Sequence, residues 1–183
     1  MGKGSRAIVI RPEKPQDYAG VHEINRLAFR RESEARLIEH LRAASGFVPE
    51  LSLVAVGGKN VAGHALFYPV SIETPDGDLP ALALAPMAVR PELKKEDISE
   101  RLMRQGIREC RRLGYKCIVA MGALETYREF GFVTAKWSGL KPSLRVSGAD
   151  LMVLELVPGS LDDVRGTVKF PPVFGELWEA VTF

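Results

Sequence analysis

The chain is expected to fold as a mixed α/β (α+β) domain, with a central sheet of about six or seven strands flanked by about four helices. Three observations predict this. Apolar runs of strand length and amphipathic stretches of helical period follow the order β-α-α-β-β-β-α-β-α-β-β. The three middle strands are joined by the tight-turn sequences Gly57-Gly-Lys-Asn60 and Pro75-Asp-Gly-Asp78, an antiparallel meander. A strand–helix–strand unit comes next, and its parallel crossover should be right-handed.

Ala7–Arg11 reads as the first strand, stopped by Pro12. Pro15–Phe29 carries Tyr18, Val21, Ile24, Leu27 and Ala28 at helical spacing, with proline suited to the first turn. Glu32–Ala44 is a second helix with Ala35, Leu37, Ile38 and Leu41 on its buried side, and Gly46 suits its end. Leu51–Val56, Val61–Glu73 and Leu79–Val89 are the meander. The last of these is almost wholly apolar and so central in the sheet. Pro86 interrupts it; proline cannot donate to a ladder, so a bulge or splay is expected there. Ile98–Leu113 is the clearest helix, with Ile98, Leu102, Met103, Ile107 and Cys110 opposite Arg101, Arg104, Arg108, Arg111 and Arg112. Tyr115–Ala120, Phe132–Ala135 and Leu151–Val157 read as strands, and Ala123–Glu129 as a short helix. Residues 1–158 are expected to form the domain, with 159–183 as a Pro/Phe/Trp-rich tail packing on it or on the partner of a homodimer.

With 183 residues, 46% of them hydrophobic, the chain is long enough to bury a sizeable core. A net charge of +2 is too mild to argue for nucleic acid, and the arginine side of Ile98–Leu113 has no interleaved aromatics. No segment has the ~20 apolar residues of a membrane span, and no apolar region follows the basic N-terminus. Cys110 and Cys117, without clustered histidines, give neither a zinc site nor a disulfide framework. A reduced, cytoplasmic protein without a metal is expected.

The junction Val89–Leu102 is the most informative stretch. Where a strand leads into a helix, free backbone N–H groups and the helix dipole favour an anion. Phosphate-binding loops there usually carry glycines; this one has Lys94, Lys95, Glu96 and Asp97. Asp97 followed by Glu100 is a capping-box pattern. It predicts that the protein's own carboxylates occupy the N–H groups a phosphate would use.

Several stretches, in order and at family spacing, carry a resemblance: I10-R-P, E34-A-R-L-I-E-H-L-R, E50-L-S-L-V-A-V, V61-A-G-H-A-L-F-Y-P-V, A85-P-M-A-V-R-P-E, R112-L-G-Y and Y127-R-E-F-G-F. Over roughly 7–158 the chain resembles the GNAT superfamily of acyl-CoA-dependent N-acetyltransferases, in a bacterial subgroup of predicted acetyltransferases. The resemblance implies the GNAT-like acyl-CoA N-acyltransferase fold, acetyl-CoA (coenzyme A) as cosubstrate and an amine acceptor. In such enzymes the central strand splays from its neighbour, and the pantetheine arm pairs with exposed backbone, here of Met87, Ala88 and Val89. The pyrophosphate rests on the next loop, where the family's Gln/Arg-x-x-Gly-x-Gly/Ala aligns with Lys94–Ser99. Asp97 and Ser99 replace the glycines and Lys94 replaces Gln or Arg; Lys94 or Lys95 can still neutralise a phosphate. Tyr127 aligns with the tyrosine that donates a proton to the leaving thiolate, which a phenol near pKa 10 can do. The strand Leu79–Val89 holds no ionisable side chain, so His64 and Glu73 on the preceding strand are the candidate bases. Two functions remain open: acetyl transfer to a primary amine by direct attack, or a binding or regulatory protein that lost catalysis through capping by Asp97 and Glu100.

Overall fold

A computed structural model describes residues 7–93, 97–144 and 149–179. The strands are β1 (Ile8–Pro12), β2 (Ser52–Gly57), β3 (Asn60–Thr74), β4 (Gly77–Val89), β5 (Cys117–Gly122), β6 (Val133–Thr134), β7 (Leu140–Pro142), β8 (Asp150–Glu155) and β9 (Gly166–Lys169). The helices are α1 (Tyr18–Phe29), α2 (Ser33–Ala43), α3 (Ile98–Arg112), α4 (Leu124–Tyr127) and α5 (Pro172–Glu179). The nine described strands join one mixed sheet whose main path runs β1-β2-β3-β4-β5-β8-β6, with β7 and β9 off that path. β1 to β4 are antiparallel, β4 and β5 are parallel across the α3 crossover, and β5–β8–β6 is antiparallel again.

Helices cover both faces. α1, α2 and α5 pack on one, around Val21, Ile24, Leu37, Ile38, Leu41 and Phe174. α3 packs on the other through Ile98, Leu102, Met103, Ile107 and Cys110, the side its spacing predicts. Its approach is close because of glycine: a Cβ at Gly106 would stand 2.0 Å from the Phe67 ring, and one at Gly63 would stand 2.8 Å from Ile98 and from Leu102.

The stretch read as a tail holds structure that periodicity did not reveal. β9 pairs with the far end of β3 (Ser71↔Lys169 to Glu73↔Thr167), and β7 pairs with β9. Phe170 and Phe174 are buried in the α1/α2-side core. β7 and β9 are too short to show an alternating pattern, and they pair over long sequence distances. Phe183 lies outside the described residues.

Two features of β4 position the site. Its register with β3 shifts by one residue, from Ala65↔Met87 to Phe67↔Leu84, which is the bulge expected at Pro86. β4 and β5 pair only at Leu82↔Ile118 and Ala83↔Val119. Beyond Ala83 the strands part: β4 stays with β3 as far as Val89, and β5 stays with β8 as far as Gly122.

Candidate active site

The gap between β4 and β5 is lined by backbone without a strand partner. The Arg90 N–H donates to the Ala62 carbonyl at 2.9 Å, so Arg90 and Ala62 are a hydrogen-bonded pair of the antiparallel ladder. Bonded and non-bonded pairs alternate. His64↔Ala88 is therefore bonded as well, and Ala88 directs its backbone to β3. Met87 and Val89 direct theirs into the gap.

The gap opens on a cavity of about 260 Å³, lined by Leu84, Ala85, Pro86 and Met87 of β4 and by Met121, Thr126 and Tyr127 beyond β5. Phe29, Arg31, Glu34 and Leu37 of the first two helices and their connection close it, together with Phe174. Tyr127 is half-buried at the end of α4, its ring 5.4 Å from that of Phe132. Gly122 makes room for it: a Cβ there would come within 2.8 Å of the tyrosine ring. Burial raises the Tyr127 pKa, so the phenol keeps its proton across the neutral range.

Glu34 is the carboxylate of this cavity, and it is 3% exposed. Arg30, in the left-handed region at φ 58°, ends α1 and turns the chain into α2. Glu34 then falls in the first turn of α2, where the helix dipole favours its charge. The Arg31 guanidinium donates to both Glu34 oxygens through Nε (2.7 and 2.9 Å) and again through Nη2, and the Ser33 hydroxyl donates at 2.8 Å. A buried carboxylate needs such partners to remain charged. Neither Arg31 nor Glu34 stood out in the sequence as a site residue. The signal was there in a charged residue on the apolar side of an amphipathic helix.

The other sequence-derived residues are dispersed. His64 is fully buried; its Nε2 lies 3.0 Å from the Ser52 hydroxyl and 3.9 Å from Glu13. Burial, with Arg42 nearby, pushes its pKa down to about 3, so the ring is neutral. It is absent from the cavity lining. Glu73 is exposed at the far end of β3, paired with Lys169 at 3.2 Å. It stands opposite Asp78, and at ~3.3 Å per residue that is roughly 25 Å along β4 from Pro86. Ser99 is exposed in the first turn of α3, and Lys94 and Lys95 lie outside the described residues. Cys110 and Cys117 are buried thiols with pKa values raised to about 12 and about 11, and neither is poised to react.

The capping expected from Asp97 and Glu100 does not form. Asp97 makes no side-chain cap; its backbone, at φ −74° and ψ 20°, is not the extended conformation that lets an N-cap side chain turn back. Its carboxylate faces Arg101 at 3.9 Å, and Glu100 pairs with Arg104 at 2.8 Å. The ion pairs along the helix face win over the cap. The first N–H groups of α3 are thus left uncovered by these two carboxylates.

A larger concavity of about 640 Å³ lies beyond β8, lined by Lys136, Glu155, Asp162, Asp163 and Arg165 among others. It includes no residue of β4 and not Tyr127, so the splay and the candidate acid belong to the smaller cavity. Among the described residues there is no cluster of metal-ligating side chains, and no helix is long and apolar enough to cross a membrane.

Residues 9–135 match the Acetyltransferase (GNAT) domain family. The chain belongs to the GNAT acetyltransferase family. Among GNAT relatives, the N-acetyltransferase YhbS of Escherichia coli K12 is 29% identical over 164 residues, 89% of this chain and 96% of that protein. The crystal structure of YhbS in complex with CoA matches with a TM-score of 0.83, covering 95% of each chain. A GNAT family acetyltransferase from Brucella melitensis, in complex with acetyl-CoA, matches at 30% identity with a TM-score of 0.75, covering 92% of this chain and 99% of that one. The splayed β4–β5 pair and the β3–β4 bulge are therefore read as parts of a GNAT fold.

Proposed function

We propose that this chain transfers an acetyl group from acetyl-CoA to a primary amine by direct attack of the amine on the thioester. The observation that carries this reading is the splay of β4 from β5, which opens on the cavity holding Tyr127. The CoA and acetyl-CoA complexes of the two similar proteins support it.

In this reading the backbone of Met87 and Val89, with Ala88 between them, holds the pantetheine arm as an added strand would. The first turn of α3, with Ser99 and the cations Lys94 and Lys95, takes the pyrophosphate. Two carboxylates weaken that site by their charge but do not fill it, because Asp97 and Glu100 are held by Arg101 and Arg104. Tyr127, kept protonated by its burial, donates to the departing thiolate. Neutral, enclosed His64 and distant Glu73 have no part in the reacting cavity. The buried, reduced cysteines agree with a cytoplasmic setting.

The test is thermal unfolding with excess acetyl-CoA, followed by thiol release from acetyl-CoA in the presence of primary amines. Acetyl-CoA at ~100 times its dissociation constant stabilises the fold by about 2.7 kcal/mol, a clear rise in Tm. Tyr127→Phe is expected to keep that rise while amine-dependent thiol release falls about 100-fold. A midpoint unmoved at millimolar acetyl-CoA overturns the reading.

A further inference from the structure

With Tyr127 as the acid, the attacking amine still needs a group to receive its proton. Among the residues lining the cavity, Glu34 is the sole carboxylate and Arg31 the sole cation. The remaining walls are apolar apart from the Thr126 and Tyr127 hydroxyls: Phe29, Leu37, Leu84, Met121 and Phe174 surround the pair. Three donors from Arg31 and Ser33 surround the Glu34 carboxylate at 3% exposure. The single Nε proton is shared between the two oxygens, so three donor protons meet about four lone-pair sites, and the group retains room to accept one from a ligand. Arg31, by contrast, already directs Nε and Nη2 to Glu34.

We infer that Glu34 binds the acceptor's amine and takes its proton, and that the acceptor is a small primary amine on an apolar stem. The inference rests on the acetyltransferase reading. The cavity's volume of about 260 Å³ is that of roughly nine waters at ~30 Å³ each, enough for one short stem beside the acetyl group. An amine that also carries a carboxylate beside its nitrogen meets Glu34 as a like charge in a poorly solvated space, with two of the three Arg31 nitrogens already donating to Glu34.

The neutral amine nitrogen forms a bond to the thioester carbonyl carbon, and a proton on that nitrogen passes to Glu34. The carbon–sulfur bond breaks with its electron pair on sulfur, and the Tyr127 hydroxyl protonates the thiolate. Glu34 then releases its proton to solvent and Tyr127 regains one, giving the amide and free CoA. Arg31 is a positioning residue: it holds Glu34 and touches no reacting atom.

The experiment pairs amines that differ only in a carboxylate: isoamylamine against leucine, and phenethylamine against phenylalanine. Acetyl-CoA binding is first measured by calorimetry in the wild type; if it fails, the acetyltransferase reading itself falls and this inference with it. Where it binds, the expected result is amine-dependent thiol release with kcat/KM at least 10-fold higher for isoamylamine and phenethylamine than for their partners. Glu34→Gln should lower kcat/KM at least 100-fold and remove the acid limb of its pH profile, with acetyl-CoA affinity kept within about threefold. Glu34→Asp, which keeps the charge if the glutamine variant does not fold, should lose at least 10-fold and retain the acid limb. Wild-type turnover by Glu34→Gln, preference for the carboxylate-bearing amines, or no release above the amine-free rate with any of the four overturns the inference while leaving acetyl-CoA binding intact.

Discussion

Glu34 and His64 are both buried ionisable side chains, and their surroundings differ in the partners they supply. Glu34 has Arg31 and Ser33 within hydrogen-bond reach and stands at the wall of a cavity. His64 has the Ser52 hydroxyl, an Nδ1 without a partner among the described residues, and no cavity. The nearby Glu13 is held by Arg42, whose Nε and Nη2 donate at 2.9 and 3.0 Å, and Arg42 in turn lies 3.8 Å from the Tyr18 ring centroid. With no carboxylate to share, the imidazole stays neutral, and that has a consequence for stability. Its folded pKa of about 3 lies below the ordinary 6.5, so the unfolded chain binds more protons between those values. Stability is then expected to fall as pH drops below 6.5, by up to about 1.4 kcal/mol per pH unit from this group. Asp17 acts in a different window: its hydrogen-bonded pair with Arg11 lowers its pKa below 3.8, so its contribution is lost only in stronger acid. Urea unfolding between pH 6.5 and 4.5 isolates the histidine, and His64→Gln should flatten the slope there. An unchanged slope would show that His64 is not its source.

At the scale of elements, α3 illustrates how a helix can be legible while its first turn is not. Its apolar stripe follows from a period of 3.6, and that stripe is buried as the spacing predicts. The cap pattern at Asp97 and Glu100 is equally visible in the sequence, yet it depends on the backbone angle at one residue and on whether Arg101 and Arg104 compete for the same carboxylates. Gly106 shows the reverse. A mid-helix glycine reads as a defect of propensity, costing about 1 kcal/mol against alanine. In the fold it lets α3 settle on Phe67, where a Cβ would stand only 2.0 Å from the ring. Gly106→Ala is therefore expected to destabilise by about 1–3 kcal/mol in spite of the better helix former, since the ring or the helix must move. Urea titration measures this, and a more stable variant would refute the close-packing account.

At the scale of the whole molecule, the site is a consequence of sheet topology. β4 cannot follow both neighbours once Pro86 removes a donor and a bulge bends the strand, so it stays with β3 and leaves β5. Met87 and Val89 then have backbone groups facing a gap, whereas Ala88 has its groups on β3. Hydrogen exchange followed by NMR should show the Met87 and Val89 amides slowed several-fold by acetyl-CoA, with Ala88 little changed; equal protection of all three would contradict the alternation. The antiparallel meander, the α3 crossover and the bulge at Pro86 were legible because they rest on local periodicity and on the chemistry of one proline. Tyr127 came from the family resemblance alone, and it lines the cavity. Within the site, the sequence by itself determined the interruption of β4 at Pro86. Only the tertiary structure decided that Arg31, Glu34 and Phe174, from α2's approach and from α5, close the same cavity, and that His64 and Glu73 do not. Adjacency of side chains 50 to 140 residues apart is set by how helices pack across a sheet, and no local pattern encodes that.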